Sequence, residues 1–222
     1  PTSGKPIITY FIISLCVLIF LTQLTSQSYK TGQLFYSYGL IPSVLMSHNQ
    51  LPMDLYIIPA WLTIFTSMFM HGGFMHLIGN MLYMWIFADN IEEDLGAARF
   101  LVFYFLSGIG AAMTQVLMDT HSQIPMVGAS GAIGGVLGAY LINHPKAKVL
   151  VLIPFGFFSQ LIKIKALYVL GFWFILQFIS SGGGVAYAAH IGGFVSGIIL
   201  ILFFNKKIKS NNKIKIIRGP WG

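Results

Sequence analysis

The 222-residue chain is poor in charge, with only 9% charged residues, whereas soluble domains contain about 25%. Six residues are acidic and thirteen are basic, and six of the basic residues follow position 205. A nucleic-acid-binding surface requires Lys and Arg spread over the folded domain, so this distribution excludes a nucleic-acid partner. Uncharged runs such as 7–21 and 166–179, together with 56% apolar residues, instead indicate a membrane protein.

The chain also has very few groups that bind metals or form covalent crosslinks. Its single cysteine, Cys16, cannot form an internal disulfide. No group of Cys and His has the spacing of a zinc site, and no His-Glu-x-x-His motif is present. We therefore expect neither a bound metal nor any other cofactor.

Long apolar segments dominate what the chain does contain. A spanning helix needs about 20 predominantly apolar residues, and six segments approach this length. They are 6–24, 72–90, 98–118, 126–142, 165–180 and 184–204. We expect residues 1–205 to form an all-α, polytopic bundle of six transmembrane helices, and residues 206–222 to form a basic tail. No small-residue cleavage pattern follows the first segment, so it is expected to be a retained helix and not a signal peptide.

Two apolar segments outside these helices do not have the length or composition to span. Residues 25–60 are too polar, and their aromatic side chains predict a partly ordered loop in the membrane interface. Residues 149–158 are apolar but short, contain Pro154, and are flanked by lysines. We expect this stretch to enter the headgroup region without crossing the membrane.

The basic residues predict the orientation, because loops rich in Lys and Arg stay in the cytoplasm. With six crossings and a cytoplasmic N-terminus, Lys30 is the one basic residue among thirteen that lies outside. The C-terminal tail is then cytoplasmic, and the second, fourth and sixth helices run from outside to inside. Short loops and a compact core are typical of a protein of the bacterial plasma membrane.

Four polar side chains fall inside the predicted spanning segments, where such groups are costly: His76, Asn80, Ser130 and His190. His76 and Asn80 are four residues apart and share one helix face. Interhelical hydrogen bonding explains that pair equally well on its own. Measured from the predicted helix starts, however, all four side chains lie roughly 6–12 Å below the outer surface. A common depth indicates a shared site.

Small residues lie on the same helix faces as Ser130 and His190. The two stripes are Ser130, Gly134 and Gly138 on the fourth helix, and His190, Gly193 and Gly197 on the sixth. Small residues four apart are typical of close helix packing, and each stripe alone is explained by packing. Together they allow a serine and a histidine to come within hydrogen-bond reach, as activation of a serine nucleophile requires.

Three motifs, in this order on alternate helices, resemble the rhomboid family of intramembrane serine proteases. They are His71-Gly-Gly-Phe-Met-His76-Leu-Ile-Gly-Asn80, Gly128-Ala-Ser130-Gly131 and Ala189-His190-Ile-Gly-Gly193. The resemblance extends from about Trp61 to Gly197. It implies a six-helix core with a water-filled cavity open to the outside. It also implies a protease that cuts transmembrane segments of other proteins. Those segments and membrane lipids are the expected partners, and the oligomeric state is left open.

The resemblance also implies roles for the four polar residues. Ser130 matches the nucleophile and His190 the general base of a two-residue dyad. His76 and Asn80 match the side chains that stabilise the oxyanion, together with the backbone N–H of Ser130. No third carboxylate is expected.

Other positions of the family pattern lie beside these groups. His71, Gly128 and Gly131 match residues next to the reacting groups, and we expect them to shape the site. Four residues after the nucleophile, many relatives carry an aromatic residue beneath the general base, whereas this chain has Gly134. Tyr187 is a candidate to hold the ring of His190 instead of that aromatic residue.

Two other classes of membrane protein also contain buried polar residues in a glycine-rich bundle. A transporter or channel would show inverted repeats and broken helices near mid-membrane, and the sequence shows neither. A non-catalytic rhomboid-like scaffold that binds membrane clients is the closer alternative. Such relatives typically lack the Ser or the His, and this chain has both.

Overall fold

The computed structural model describes residues 6–26, 28–155, 158–179 and 186–217, which are mostly helical. The α-helices of these ranges are α1 (Ile7–Thr25), α2 (Ser28–Tyr38), α3 (Pro42–Leu45), α4 (Thr63–Thr66), α5 (Phe74–Leu95), α6 (Ala97–Met118), α7 (Ser130–Asn143), α8 (Ala166–Ile179) and α9 (Tyr187–Ile217). Two 3₁₀ turns, Ala60–Leu62 and Ser67–Phe69, flank α4. Strands β1 (Lys148–Phe155) and β2 (Phe158–Lys165) pair between α7 and α8.

The segments predicted to span fall on α1, α5, α6, α7, α8 and α9, so the helical, membrane-embedded fold class is confirmed. Of the described helices, three are long and apolar enough to cross a membrane by length and composition: Ile7–Thr25, Ala97–Met118 and Tyr187–Asn205. The helices α7 and α8 have 14 residues each. Helix α5 is longer, with 22 residues, but acidic residues occupy its last two turns.

Helix α7 is the centre of the bundle and is buried from Gly131 to Tyr140. It packs against α5, α6 and α9, while α1 packs on α5 and α8 packs on α9. Glycine and alanine make up much of α7, which lets the neighbouring helices approach closely. The four polar side chains predicted from the sequence therefore lie on α7 itself or on α5 and α9, which pack against it.

Buried polar contacts join the helices at the end of the bundle where α5 and α7 finish. The Glu92 carboxylate, 4% exposed, accepts hydrogen bonds from the backbone N–H groups of Ile8 and Thr9 at 2.9 and 2.8 Å. It thereby satisfies donors that the first turn of α1 cannot satisfy itself. Asp94 accepts a hydrogen bond from Asn143 Nδ2 at 2.7 Å, which ties α5 to α7.

The described residues of the stretch 149–158, which we expect to enter the headgroup region without crossing the membrane, belong to the antiparallel strands β1 and β2. The register runs from Lys148 opposite Lys165 to Phe155 opposite Phe158. Alternating Val, Leu and Ile residues favour strands, since branched side chains fit the pleated surface. The two-stranded sheet is the exception to the all-α prediction within the described residues.

The segment after α1 is more ordered than predicted and holds the loop that precedes α7. Leu40 and Met126 exchange backbone hydrogen bonds of 3.0 and 2.8 Å. The Ser43 N–H donates to the Ser122 carbonyl at 3.0 Å. These contacts keep residues 119–129 out of the helix, so α7 begins at Ser130 and not at 126.

Candidate active site

A cavity of about 1020 Å³ lies where α5, α7 and α9 begin. Its lining includes all four polar residues predicted from the sequence: His76, Asn80, Ser130 and His190. Gly128 and Gly131 also line it, on either side of Ser130. The structure therefore brings together residues that are up to 114 positions apart in the sequence.

Ser130 is the first residue of α7, and a glycine with positive φ stands two positions before it. Gly128 has φ of +127°, a conformation that L side chains rarely adopt, and its N–H donates to the Ser67 carbonyl at 2.8 Å. The turn at Gly128 directs the chain into the helix, so Ser130 lies at the helix N-terminus. The first backbone N–H groups of a helix have no intrahelical acceptor and carry the positive end of its dipole.

The side chains of His76 and Asn80 lie against Gly128. A Cβ atom added there would be 2.7 Å from His76 Nε2 and 3.6 Å from Asn80 Nδ2, so any larger residue would displace the imidazole. The Gly72 N–H donates to His76 Nδ1 at 3.3 Å, which leaves the proton of the neutral ring on Nε2. His76 Nε2, which lies beside Gly128, is therefore a donor.

Asn80 supplies a second donor at the same place. Its side chain is 8% exposed, and within the described part of the chain its Nδ2 has no hydrogen-bond partner. Buried amide groups are almost always hydrogen-bonded, because desolvation without a partner is costly. An unpaired N–H group beside a cavity is thus available to an oxygen atom that enters it.

His190 is the fourth residue of α9, and three side chains hold its ring. Nδ1 is 2.8 Å from Gln177 Oε1 of α8. The ring of Trp173, also on α8, lies with its centroid 5.8 Å away at an angle of 32°. The Tyr187 ring meets the His190 ring edge to face, with their centroids 6.2 Å apart. The imidazole is therefore oriented from α8 and from its own helix.

Gln177 was not predicted from the sequence, although a signal for it exists. It is the one amide side chain in a 14-residue apolar helix, and a buried polar group in such a helix requires a partner. What the sequence does not show is which residue on another helix that partner would be. Gly134, at the position where many relatives have an aromatic residue, lies instead against the backbone of His190.

Ser130 and His190 come from helices whose backbones touch. A Cβ at Gly134 would be 3.0 Å from the His190 carbonyl oxygen, and one at Gly193 would overlap the Gly131 carbonyl oxygen. Among the hydrogen bonds of the described residues, none joins Ser130 to His190. Catalytic hydrogen bonds are often long without substrate, and here the contact of α7 with α9 sets the spacing of the pair.

The remaining glycines of the two predicted stripes lie further along the same contact. A Cβ at Gly138 would overlap the carbonyl oxygen of Phe194, and one at Gly197 would overlap that of Gly135. Since neither carbonyl can move without its helix, the two helices approach as closely as backbones allow.

His71 lies behind His76 and does not line the cavity. Its ring is fully buried, with its centroid 5.3 Å from that of His76 in an edge-to-face arrangement. Gln23 of α1 bonds to the His71 backbone on both sides, donating to its carbonyl at 3.0 Å and accepting from its N–H at 3.2 Å. These two hydrogen bonds attach the segment that precedes α5 to α1.

Comparisons with known proteins agree with this architecture. The family model described as "Rhomboid domain" matches residues 59–207. The chain is 31% identical over 196 residues to "Rhomboid protease GluP" of Bacillus subtilis (strain 168), covering 88% of this chain and 34% of that protein. It is 34% identical over 144 residues to "Putative rhomboid protease YdcA" of the same strain, covering 63% and 65%.

A eukaryotic relative extends the comparison, and it is longer than this chain. "Rhomboid protein 1, mitochondrial" of Saccharomyces cerevisiae (strain ATCC 204508 / S288c) is 29% identical over 168 residues, which cover 72% of this chain and 47% of that protein. The chain thus spans between about a third and two thirds of the length of these curated relatives. Because the matched family model covers well over half of the chain and includes His76, Asn80, Ser130 and His190, this multi-pass membrane protein belongs to the Rhomboid family.

Proposed function

We propose that this protein is an intramembrane serine endopeptidase that cuts membrane-protein substrates with a Ser130–His190 dyad. The observation that supports it best is the single cavity lined by Ser130, His190, His76 and Asn80. A nucleophile, a base and two N–H donors are the groups that acyl transfer needs. Membership in the Rhomboid family and the protease names of its relatives agree with this chemistry.

The reaction follows from these groups. Ser130 Oγ attacks the scissile carbonyl carbon while His190 Nε2 takes the hydroxyl proton. The imidazolium then gives this proton to the leaving amine, and the peptide C–N bond breaks to leave an acyl-serine. A water molecule attacks the acyl carbon with His190 again as base, which releases the acid and returns the proton to Ser130.

The negative charge that develops on the carbonyl oxygen has three donors in this proposal. They are Nδ2 of Asn80, Nε2 of His76 and the backbone N–H of Ser130 at the start of α7. Donors fixed in advance stabilise the transition state because they need no reorganisation when charge develops. The positive end of the α7 dipole acts in the same direction.

The substrate is proposed to be a transmembrane segment that loses helical structure locally before cleavage. Backbone hydrogen bonds of a helix hide its carbonyl groups, so residues that weaken the helix favour cleavage nearby. With both termini in the cytoplasm, as the basic residues predict, the cavity opens on the extracytoplasmic side of a bacterial plasma membrane. Cleavage is then expected near the outer end of the substrate helix.

The decisive experiment is cleavage of a single-span model substrate by the purified full chain in liposomes. Ser130→Ala and His190→Ala should each abolish cleavage, because either change removes a group that no other residue replaces. Ser159→Ala, at an exposed position on β2, is the matched control and should cut at the parent's rate. Thermal unfolding in detergent checks that every variant is folded.

Two results would contradict the proposal. Cleavage of the same bond by Ser130→Ala at the parent's rate would exclude Ser130 as the nucleophile. Binding of the model substrate by the parent protein with no cleavage at all would favour the non-catalytic scaffold instead.

The oxyanion assignment has its own test in Asn80→Ala. Loss of one preorganised donor is expected to reduce kcat by about 10²-fold while KM stays unchanged, because the donor acts on the transition state. Asn90→Ala, at the other end of α5 and away from the cavity, is the control for the same substitution. An Asn80→Ala enzyme as fast as the Asn90→Ala enzyme would remove Asn80 from the oxyanion site.

A further inference from the structure

Gln177 occupies an unusual environment for an amide. It lies in the apolar helix α8, and its side chain is 8% exposed. Of the 14 residues of α8, only Ala166, Leu170 and Gln177 are buried. Burying an amide is unfavourable unless its donors and acceptor are bonded, so a purely packing role would be served better by an apolar residue.

The hydrogen bonds of Gln177 fix the direction of its amide. Nε2 donates to the Trp173 carbonyl at 2.6 Å, one turn earlier in α8. A carbonyl oxygen only accepts, so the atom facing it must be the nitrogen. The amide oxygen is thereby aimed at His190, with Oε1 at 2.8 Å from Nδ1.

This arrangement determines the tautomer of His190. Because Oε1 only accepts, Nδ1 must carry a proton to form the bond. In the neutral ring the other nitrogen, Nε2, then has a free lone pair, which is the form that a general base requires. Trp173 lies over the same ring and limits its rotation.

We propose that Gln177 is a positioning residue that holds His190 as the Nδ1–H tautomer, so that Nε2 can accept the Ser130 proton. This inference rests on the proposed dyad. In serine proteases with three catalytic residues, a buried aspartate fixes the tautomer and also stabilises the imidazolium. A neutral amide fixes the tautomer but carries no charge, so within the described residues the hydrogen-bond partner of His190 Nδ1 is uncharged.

The first test separates orientation from substrate binding. Gln177 does not line the cavity, so Gln177→Met should lower kcat by about tenfold, the equivalent of one lost hydrogen bond, and leave KM within about twofold. Ile175→Met introduces the same side chain at an exposed position of α8 and should leave both constants unchanged. Gln177→Glu, as the neutral acid, retains an oxygen acceptor for Nδ1–H and an O–H donor for the Trp173 carbonyl, and should keep kcat within about threefold of the parent.

The outcomes distinguish this inference from the proposed function. If Gln177→Met has the parent's kcat while Ser130→Ala is inactive, the positioning role is wrong and the dyad stands. If Ser130→Ala cleaves normally, the proposed function itself is wrong. Equal losses in Gln177→Met and Gln177→Glu would also contradict the role, because only the former lacks the acceptor.

A second measurement does not depend on activity or on the folding of any Gln177 variant. The ¹⁵N shifts of the imidazole nitrogens in Ser130→Ala protein, labelled at histidine, report which nitrogen carries the proton. His190 is assigned by comparison with the Ser130→Ala, His190→Gln double variant. At mildly basic pH we expect a protonated Nδ1 and an unprotonated Nε2, and the opposite pattern would overturn the inference.

Discussion

The two sides of α9 meet their neighbours in different ways. Toward α7 the contact is made by glycines, and a Cβ at Gly193 or Gly197 would overlap a carbonyl oxygen of α7. Toward α8 the contact is made by large side chains. The Phe174 and Phe194 rings stack at 4.4 Å, and Trp173 covers His190.

The difference separates two requirements of the proposed dyad. A contact between two helix backbones cannot be adjusted by side-chain rotamers. The glycine side therefore sets how far the helix of His190 lies from the helix of Ser130. Side chains have rotamers, and the aromatic side, with Gln177, sets which way the His190 ring faces. Distance is therefore controlled by the contact of α9 with α7, and orientation by its contact with α8. Each can be changed by itself.

The largest effect is expected from Gly197→Ala, which breaks the glycine side. The new methyl group would overlap the Gly135 carbonyl, so the helices must separate. Overpacking of this kind costs roughly 1–3 kcal/mol or more, which exceeds the gain of about 1 kcal/mol in helix propensity. We expect a clearly lower Tm in detergent and a loss of most cleavage activity.

Gly171→Ala on α8 is the control for Gly197→Ala. No heavy atom lies within 4 Å of a Cβ at Gly171, so its Tm should equal or exceed that of the parent. Equal Tm values for the two variants would show that the glycine contact does not limit the distance between α7 and α9.

An intermediate effect is expected from Trp173→Leu, which weakens the aromatic side. An aromatic pair contributes about 0.5–1.5 kcal/mol beyond the area it buries, and the ring of His190 would gain freedom to rotate. We expect kcat to fall by about tenfold with a small change in Tm. Phe172→Leu, at a neighbouring position that is 64% exposed, should have little effect on kcat. A Trp173→Leu enzyme with the parent's kcat would show that the aromatic side does not orient the ring.

The smallest effect is expected from Gly134→Ala, which tests how tight the glycine side is near His190. The added Cβ would lie 3.0 Å from the His190 carbonyl oxygen and 3.4 Å from the Phe194 nitrogen, so a shift of a few tenths of an ångström suffices. The gain of about 1 kcal/mol in helix propensity opposes this strain. We expect kcat within about twofold of the parent and an almost unchanged Tm. A loss as large as that of Gly197→Ala would mean that the contact is uniformly rigid.

Several features of the fold could be predicted because they follow from local chemistry. Apolar length locates the long helices, and spacing of four or seven residues places Ser130, His190 and the glycines on common faces. The start of α7 does not follow from composition, since apolar and small residues continue back to 126. The helix begins at Ser130 because Leu40 and Gly128 hold the preceding loop in another conformation.

The amino-acid sequence by itself determined the helical membrane class, the glycine stripes and the four polar residues of the cavity, because hydrophobicity and periodicity act along the chain. The tertiary structure alone decided that Lys148–Phe155 pairs with Phe158–Lys165 and that Gln177 bonds to His190. Both depend on partners that lie in another strand or helix. Residue spacing within one segment carries no information about which other segment packs against it, and the packing of α8 on α9 supplied that information.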